Sequence, residues 1–350
     1  MRFYLAVGLV VAILLAVMPL AVPRSGVSQG SEAGTTSQGD GWLSVLEQQA
    51  EEPAGQESVQ APVEEDAQEE QAVFSIFDRS TGQVAQVPVR EFLRGAVCAE
   101  MPPTFHPEAL KAQAVCAHTW ACYQQRLQQN APDPALLGAD FSADPQNWEG
   151  YVTEDQAKER FGEHFEEYWG AITQAADAVA AQILTDGGEP IPAAYHAISA
   201  GATESAENVW GNAVDCLTPV DSAWDEMAPG YSETVTFTAD KLRQAIPALE
   251  GQGDPSGWFS IEERSDSGYV TAMTVGEEEW TGLEFREALG LRSSALDIAW
   301  EGESCTITTR GYGHGVGLSQ YGADYLGRQG TGWQEILRHY YPGAELQAAS

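Results

Sequence analysis

A sharp change in composition at residue 73 decides which part of the chain can fold. Residues 23–72 carry eleven acidic side chains and one basic side chain, and they are rich in Gln, Ser, Gly and Ala. So few apolar side chains cannot bury enough surface to offset the conformational entropy of an ordered backbone. We therefore expect residues 23–72 to be a disordered, self-repelling acidic linker, and the folded domain to comprise residues 73–350.

An apolar run precedes this linker. Residues 5–22 contain no polar side chain, and Arg2 lies before them. A run of eighteen residues is at the short end of the length that crosses a bilayer and longer than a usual signal-peptide core. Residues 1–22 are therefore predicted to form a single-pass signal-anchor or transmembrane helix, with a cleaved signal peptide as the alternative. Both interpretations place the remaining chain outside the cytoplasm, on the cell-wall side of the membrane.

The charge balance excludes several classes of protein. The chain has 52 acidic and 17 basic residues, a net charge of −35. A nucleic-acid binder needs a basic surface, so no nucleic-acid partner is expected. Disorder throughout is excluded because 43% of the residues are hydrophobic and 10 Trp, 12 Tyr and 11 Phe are present. The five cysteines show neither CxxC spacing nor a dense disulfide framework.

Local patterns after residue 73 indicate an α+β fold, because strands and helices do not alternate regularly. A helix that starts after Pro88 is predicted to end at Glu100, since Pro102 and Pro103 cannot continue it. A second helix, lined with small residues and expected to be buried, begins near Pro107. The predicted strands are 73–77 and 84–89, the predicted helices are 89–100, 107–128, 240–245, 319–327 and 333–341, and strands and loops are expected over most of 180–310.

Glu100 is the first candidate for chemistry because it ends a predicted helix immediately before Met101 and two prolines. The negative end of the helix dipole disfavours a second negative charge there, and burial against Met101 and Phe105 would act in the same direction. Both effects raise the pKa of a carboxyl group, which suits a general acid near neutral pH. The alternative is an ordinary exposed glutamate at a helix end.

The polar segment 199–211 is the second candidate. It combines Ser199, Thr203, Glu204 and Ser205 with Trp210 in thirteen residues. Hydroxyl and carboxyl groups of this kind can hydrogen-bond sugar hydroxyls while an indole stacks on a pyranose ring. A polar turn that caps a strand remains an equal alternative.

The glycine-rich segment 310–322 is the third candidate. Glycine recurs at 311, 313, 315 and 317, so an extended strand would carry a bare face that admits a ligand or another backbone. His314 on the other face, followed by Ser319, Gln320 and Tyr321 at a helix start, makes this segment a candidate binding element. The alternative is a glycine-rich bend packed against a sheet.

Three long segments resemble, in order, the blocks of the stage II sporulation protein D family, whose domain is also called SpoIID/LytB. The first is VREFLRGAVCAEMPPTFHPEALKAQAVCAHTWACY at 89–123. The second is SAGATESAENVWGN at 199–212 with PVDSAWD at 219–225, and the third is RGYGHGVGLSQYGA at 310–323 with ILRHYYPGAEL at 336–346. The resemblance spans about 74–345, and the preceding apolar run and linker are also typical of the family.

The resemblance implies two lobes around a substrate cleft and a lytic transglycosylase of spore engulfment. Such an enzyme cleaves the MurNAc–GlcNAc β-1,4 bonds of peptide-stripped glycan strands and leaves 1,6-anhydro-muramyl ends. Glu100 matches the family's catalytic residue. The implied substrate-binding residues are Lys111, Gln113, Ser199, Thr203, Glu204, Ser205, Trp210, His314, Ser319, Gln320 and Tyr321.

The resemblance also implies partners and leaves alternatives open. The expected partners are peptidoglycan glycan strands, an amidase and the membrane proteins of an engulfment complex, and no cofactor is expected. One alternative is a non-catalytic wall-binding protein that enhances an amidase, as LytB-type relatives are described. Another is a hydrolase in which Glu204, Glu207 or Asp225 activates water.

The chain departs from the family's pattern at two places. His118 stands where arginine is common, so the guanidinium that would hold a carboxylate or phosphate-sized group there is absent. Residues 141–152 contain no Cys or His where some members bind zinc, so no metal site is predicted. Cys98 and Cys116 are expected to be packed thiols.

Residues 73–350 hold 41 acidic and 15 basic residues. A domain this acidic should repel anionic glycan, so Lys111 and Arg310 are expected to make the cleft less negative.

Overall fold

The computed structural model describes residues 72–349. The predicted signal-anchor helix at 1–22 lies outside these residues, and so does the predicted linker except for its last residue. Between residues 72 and 349, no helix is both long and apolar enough to cross a membrane.

Helices and short strands share the described chain. The helices are α1 (Val89–Glu100), α2 (Pro107–Asn130), α3 (Glu154–Phe161), α4 (Phe165–Ala178), α5 (Ala206–Trp210), α6 (Ala239–Ala245), α7 (Gly282–Leu289), α8 (Gln320–Arg328) and α9 (Trp333–Tyr340). The strands are β1 (Val73–Asp78), β2 (Gln83–Pro88), β3 (Phe141–Ala143), β4 (Gln182–Asp186), β5 (Glu189–Pro190), β6 (Tyr195–His196), β7 (Ser232–Thr238), β8 (Phe259–Arg264), β9 (Val270–Val275), β10 (Glu278–Trp280), β11 (Leu296–Glu301), β12 (Ser304–Arg310), β13 (Leu318–Ser319) and β14 (Glu345–Ala348).

The first hairpin and the two helices that follow it have the positions predicted from the sequence. β1 pairs antiparallel with β2 through a turn in which the Asp78 carboxylate accepts hydrogen bonds from the backbone of Ser80 and Thr81. α1 ends at Glu100, where Met101 N–H donates to Val97 O and the chain turns extended before the prolines. α2 begins with Pro107 at its first position.

α2 is the central helix of the larger hydrophobic core. Its predicted small-residue face is fully buried, which lets α1, α4, α8 and α9 approach closely. β3 adds parallel to β1, the strands β14, β4 and β5 form an antiparallel sheet beside α2, and β6 pairs parallel with β13. We call this part the helical lobe; its buried core residues come from 74–217 and 316–341.

A second core is formed by residues that lie between those two segments of the sequence. Its sheets have the orders β11-β12-β7 and β10-β9-β8, all antiparallel, and α6 and α7 pack beside them. The buried residues of this core fall between Ala239 and Ile307. We call it the sheet lobe. The described residues therefore have the mixed helix-and-sheet composition of the predicted α+β class, with two separate cores.

Candidate active site

Glu100 is the last residue of α1 and is partly buried. Its neighbours Ala99 and Met101 are almost fully buried, as is Phe105 in the loop that leads to α2. Burial raises the pKa of Glu100 to about 7, and a hydrogen bond from Gln320 acts in the opposite direction. Near neutral pH the carboxyl group can therefore both give and accept a proton.

Gln320 and Gln113 connect Glu100 to the central helix. Gln320, the first residue of α8, is 6% exposed, and its Nε2 donates to Oε1 of fully buried Gln113 at 3.5 Å. An amide nitrogen has two N–H groups, so Gln320 can hold Gln113 and Glu100 together. These residues and Tyr195 form what we call the Glu100 cluster.

Tyr195 is the member of the cluster that sequence reasoning missed. Burial, and then the charge of Glu100, hold the pKa of its phenol well above the usual range, so the hydroxyl is neutral. Tyr195 lies in the short strand β6 and pairs with Leu318 of β13, two residues before Gln320. It belongs to none of the three family-like blocks, and no local pattern marks it.

Ser319 and Tyr321 fix the start of α8 on either side of Gln320. Ser319 caps the helix, because its Oγ accepts from Gly322 N–H at 3.2 Å and donates to Ala197 O at 3.3 Å. Tyr321 N–H donates to the same carbonyl at 3.1 Å, and its ring meets Phe105 edge-on at a centroid distance of 4.9 Å. Ser319 thus positions Gln320 through the backbone.

Of the two conformations considered for the glycine-rich segment, the structure has the bend and not the extended strand. Gly311, Gly313, Gly315 and Gly317 have φ values of +78°, +114°, +83° and +74°, so each adopts a backbone that other residues rarely tolerate. A Cβ at Gly311 would lie 2.7 Å from Ile198 O, and one at Gly317 would overlap the carbonyl of Ala194. Gly311, Gly313 and Gly317 therefore admit residues 194–199 at close range, and Gly315 admits the Tyr269 ring, as in the alternative of a packed bend.

His314 projects from this bend and is neutral. Its Nδ1 accepts from Val316 N–H at 3.0 Å, and its ring lies 5.3 Å from Trp210 and 5.8 Å from His196. Burial, followed by the charges of His196 and Arg286, lowers the pKa of His314 to about 3. Trp210 is only partly exposed and packs against this imidazole.

The hydroxyls of segment 199–211 make hydrogen bonds within the protein. Ser199 is buried; its Oγ accepts from Gly201 N–H at 3.2 Å, and its backbone N–H donates to Asp225 Oδ2 at 2.8 Å. Thr203 Oγ1 accepts from Val220 N–H at 2.9 Å. Ser205 caps α5 by accepting from Asn208 N–H at 3.1 Å. These contacts are the ones a polar turn makes.

Glu204 differs because one of its oxygens is unused. The side chain is 1% exposed, and Oε1 accepts from Ser205 N–H at 2.7 Å and from Asn208 Nδ2 at 3.0 Å. Oε2 has no hydrogen-bond partner among residues 72–349. Glu204 lines a small cavity together with His314 and with Tyr269 and Thr271 of the sheet lobe. The cavity volume of about 10 Å³ suits about one water molecule.

Lys111 and Arg310, the two bases expected to make the cleft less negative, are each paired with a carboxylate. Lys111 Nζ is paired with Glu108 Oε1 at 2.6 Å, and Glu108 in turn accepts from Trp333 N–H. Lys111 is also two positions from Gln113, which turns it to a different side of α2. Arg310 Nη1 is paired with Asp297 at 2.6 Å.

His118 and the two cysteines belong to the core of the helical lobe. His118 is 3% exposed and meets the Phe74 ring edge-on, and burial lowers its pKa to about 4. Cys98 and Cys116 are fully buried, as predicted, and Cys116 Sγ lies 3.2 Å from the Tyr341 hydroxyl. Over residues 72–349, no three His, Cys, Asp or Glu side chains are grouped so as to hold a metal ion.

Comparison with known proteins gives relatives for most of the chain. Residues 78–185 match the model of the family SpoIID, "Stage II sporulation protein". The chain is 34% identical over 274 residues to "Stage II sporulation protein D" of Bacillus amyloliquefaciens, and 34% identical over 275 residues to the protein of that name from Bacillus subtilis (strain 168), covering 78% of each sequence. It is 24% identical over 313 residues to the "Amidase enhancer" of Bacillus subtilis (strain 168), which covers 73% of this chain and 40% of that protein.

Proposed function

This chain belongs to the stage II sporulation protein D family, and on that premise we propose that it is a lytic transglycosylase of sporulation. Its substrate would be peptide-stripped glycan strands, cut at MurNAc–GlcNAc β-1,4 bonds. The observation that carries the proposal is the partly buried Glu100, whose pKa of about 7 gives it both protonation states at neutral pH.

The proposed mechanism needs one carboxyl group that acts twice. Protonated Glu100 first donates its proton to the glycosidic oxygen as the bond to C1 breaks. The resulting carboxylate then takes the proton of the same sugar's 6-hydroxyl, whose oxygen attacks C1 and closes the anhydro ring. A hydrolase usually needs a second carboxylate to activate water or to form a covalent intermediate.

Other members of the Glu100 cluster support this double role. Gln320 donates to the Glu100 carboxyl group and so favours its ionised form, which opposes the effect of burial. The neutral Tyr195 phenol is hydrogen-bonded to Gln113, and the charge of Glu100 adds to the burial that raises the phenol pKa. We assign to these two side chains the orientation of the carboxyl group in its two protonation states.

The remaining carboxylates favour a transglycosylase over a hydrolase. Glu204 is bound by Ser205 and Asn208, and Asp225 Oδ2 is bound by the Ser199 backbone and the Ser222 hydroxyl. Both carboxylates are 1% exposed, so neither lies in an open cleft where it could activate water against a bound glycan, although Glu204 lines a cavity of about one water molecule.

The proposal extends to the setting of the reaction. The domain would act on the cell-wall side of the membrane, attached through the N-terminal segment, with an amidase that supplies peptide-free strands. Membrane proteins of the engulfment complex would be further partners. Glycan would contact Gln320, Tyr321 and His314, which are at or near the Glu100 cluster, while the fully buried Gln113 would act through Gln320.

The decisive experiment is digestion of peptide-free glycan strands by the purified full chain, with mass spectrometry of the new ends. Wild-type protein should release 1,6-anhydro-muramyl ends, and Glu100→Gln should release none. Glu91→Gln removes an exposed carboxylate of the same helix and should retain activity. Reducing ends in place of anhydro ends would instead indicate hydrolysis.

A second candidate function is amidase enhancement without catalysis, which the similarity to the "Amidase enhancer" favours. A protein of this kind would bind glycan and stimulate an amidase equally well as wild type and as the Glu100→Gln variant. Binding and stimulation without any new glycan ends would therefore support this alternative and contradict the transglycosylase.

A further inference from the structure

Arg292 is a partly buried arginine that has no carboxylate partner in the described part of the chain. Its Nε is buried without a hydrogen-bond acceptor, and within residues 72–349 no carboxylate lies at ion-pair distance from its guanidinium. Other arginines of the sheet lobe, such as Arg243, Arg264 and Arg310, are each paired with an aspartate. An unpaired guanidinium is notable in a domain with 41 acidic residues.

The structure holds this side chain in a defined position. The guanidinium lies over the Tyr312 ring, 4.4 Å from its centroid, and packs against Gly230. Its backbone carbonyl accepts from Gly313 N–H at 2.9 Å and from Arg286 Nε at 3.2 Å. The backbone of Arg292 is thereby held by the glycine-rich bend and by Arg286, and its guanidinium by Tyr312, before any ligand binds.

Tyr321 connects Arg292 with the Glu100 cluster. Burial raises the pKa of Tyr321 to about 12, and the nearby charge of Arg292 acts in the opposite direction. The Tyr321 ring packs against Phe105, which follows Glu100 in the loop between α1 and α2, and its chain neighbour is Gln320. Tyr321 N–H also donates to Ala197 O, and the next residue, Ile198, pairs with Tyr312, over which the Arg292 guanidinium lies. Arg292 therefore brings a positive charge from the sheet lobe to the Tyr321 side of the Glu100 cluster.

We propose that Arg292 binds the lactyl carboxylate of peptide-free muramic acid and so selects glycan strands from which stem peptides have been removed. This inference rests on the proposed function. The lactyl group is attached to C3 of the sugar whose C1 bond is cut. A side chain that binds the lactyl carboxylate therefore has to lie within about one sugar ring of Glu100. A guanidinium binds a carboxylate with two parallel hydrogen bonds, and an amide-linked peptide has no charge at that position.

The test is a binding experiment that does not require cleavage. The full chain carrying Glu100→Gln is titrated with peptide-free strands, and with the same strands after carbodiimide-mediated conversion of their lactyl carboxylates to amides. Arg292→Gln should weaken binding of the carboxylate strands on the order of tenfold to hundredfold and leave binding of the amidated strands unchanged. Arg292→Lys, which keeps the charge without the planar fork, should lose less.

Arg243→Gln is the matched control. Arg243 lies over Trp258 at 4.6 Å in the same lobe, but it is paired with Asp240, so its loss should change neither affinity. Thermal melting checks that each variant is folded. Equal weakening of both strand types by Arg292→Gln, or no weakening of either, would overturn the inference. Carboxylate-dependent binding through Arg292 without anhydro products from wild-type protein would keep the inference and reject the transglycosylase.

Discussion

Glu100 is held in the folded protein with a preference for its neutral form. Its pKa rises from 4.5 to about 7 mainly because burial removes water from the carboxylate. A group of this kind binds protons more tightly in the native state than in the unfolded state, so its contribution to stability is present at low pH and is lost as pH rises. The same burial that suits the proposed acid therefore costs stability above neutral pH.

Replacing Glu100 by glutamine should separate these two effects. Glu100→Gln stays neutral, so we expect it to exceed the wild type in free energy of unfolding at pH 8 by on the order of 1–2 kcal/mol, since partial exposure weakens the full desolvation effect. At pH 4 the two proteins should be equally stable. Urea unfolding at both pH values measures the difference, with Glu91→Gln as the control. If wild type and Glu100→Gln have the same free energy of unfolding at pH 8, burial does not destabilise the Glu100 carboxylate.

Gln320 should set the alkaline limit of activity. Its hydrogen bond lowers the pKa of Glu100, so Gln320→Met, which has a similar shape and no N–H group, should raise that pKa. Because the first step needs protonated Glu100, the fall in kcat/KM at high pH should move to higher pH. Gln124 is a buried glutamine of α2, more than two turns after Gln113, so Gln124→Met should leave the dependence of kcat/KM on pH unchanged. If Gln320→Met leaves the pH dependence of kcat/KM unchanged, Gln320 does not set the pKa of Glu100.

At the scale of elements, the sequence was informative where local rules decide the structure. Prolines and apolar spacing correctly predicted the bounds of α1 and the start of α2. The same rules failed for the glycine-rich bend, because a regular spacing of glycines says nothing about the sign of φ. Its conformation follows from packing against residues 194–199, which are more than a hundred residues away in sequence.

The candidate site shows the same division. Glu100, Gln113 and Gln320 were named because they stand in recognisable blocks, and the structure brings them together. Tyr195 and Arg292 were not named, because each reaches the site through tertiary contacts of β6 or of the sheet lobe. Charge alone was also insufficient, because Lys111 and Arg310 have carboxylate partners that only the fold reveals.

The glycine-rich bend should tolerate no side chain at Gly317. Gly317→Ala combines a φ of +74° with an overlap between the new Cβ and the Ala194 carbonyl, so we expect a loss of about 2–4 kcal/mol in the free energy of unfolding. Gly343→Ala has a similar φ of +86° and open space around it, so its loss should be about 1 kcal/mol. Denaturant melts of the two variants measure this contrast, and equal losses would mean that the contact with residues 194–199 is loose.

At the scale of the whole molecule, the charge of residues 73–350 opposes the proposed substrate. This part of the chain has 41 acidic and 15 basic residues, and a peptide-free strand carries one carboxylate per muramic acid. Long-range repulsion acts over the Debye length, which is about 30 Å at 0.01 M salt and about 10 Å at 0.1 M. The contact proposed for Arg292 acts at hydrogen-bond distance, where a partly buried group is screened much less.

Activity on peptide-free strands should therefore rise with salt at low ionic strength. Between 0.01 M and 0.1 M salt, screening removes most of the repulsion between strand and domain, and kcat/KM should increase on the order of tenfold. Strands with amidated lactyl groups are uncharged and should show no such increase, which makes them the control. Initial rates of anhydro-end formation at a fixed pH measure both. A fall in kcat/KM with salt for the carboxylate strands would mean that local attraction at Arg292, and not the net charge of the domain, governs the encounter.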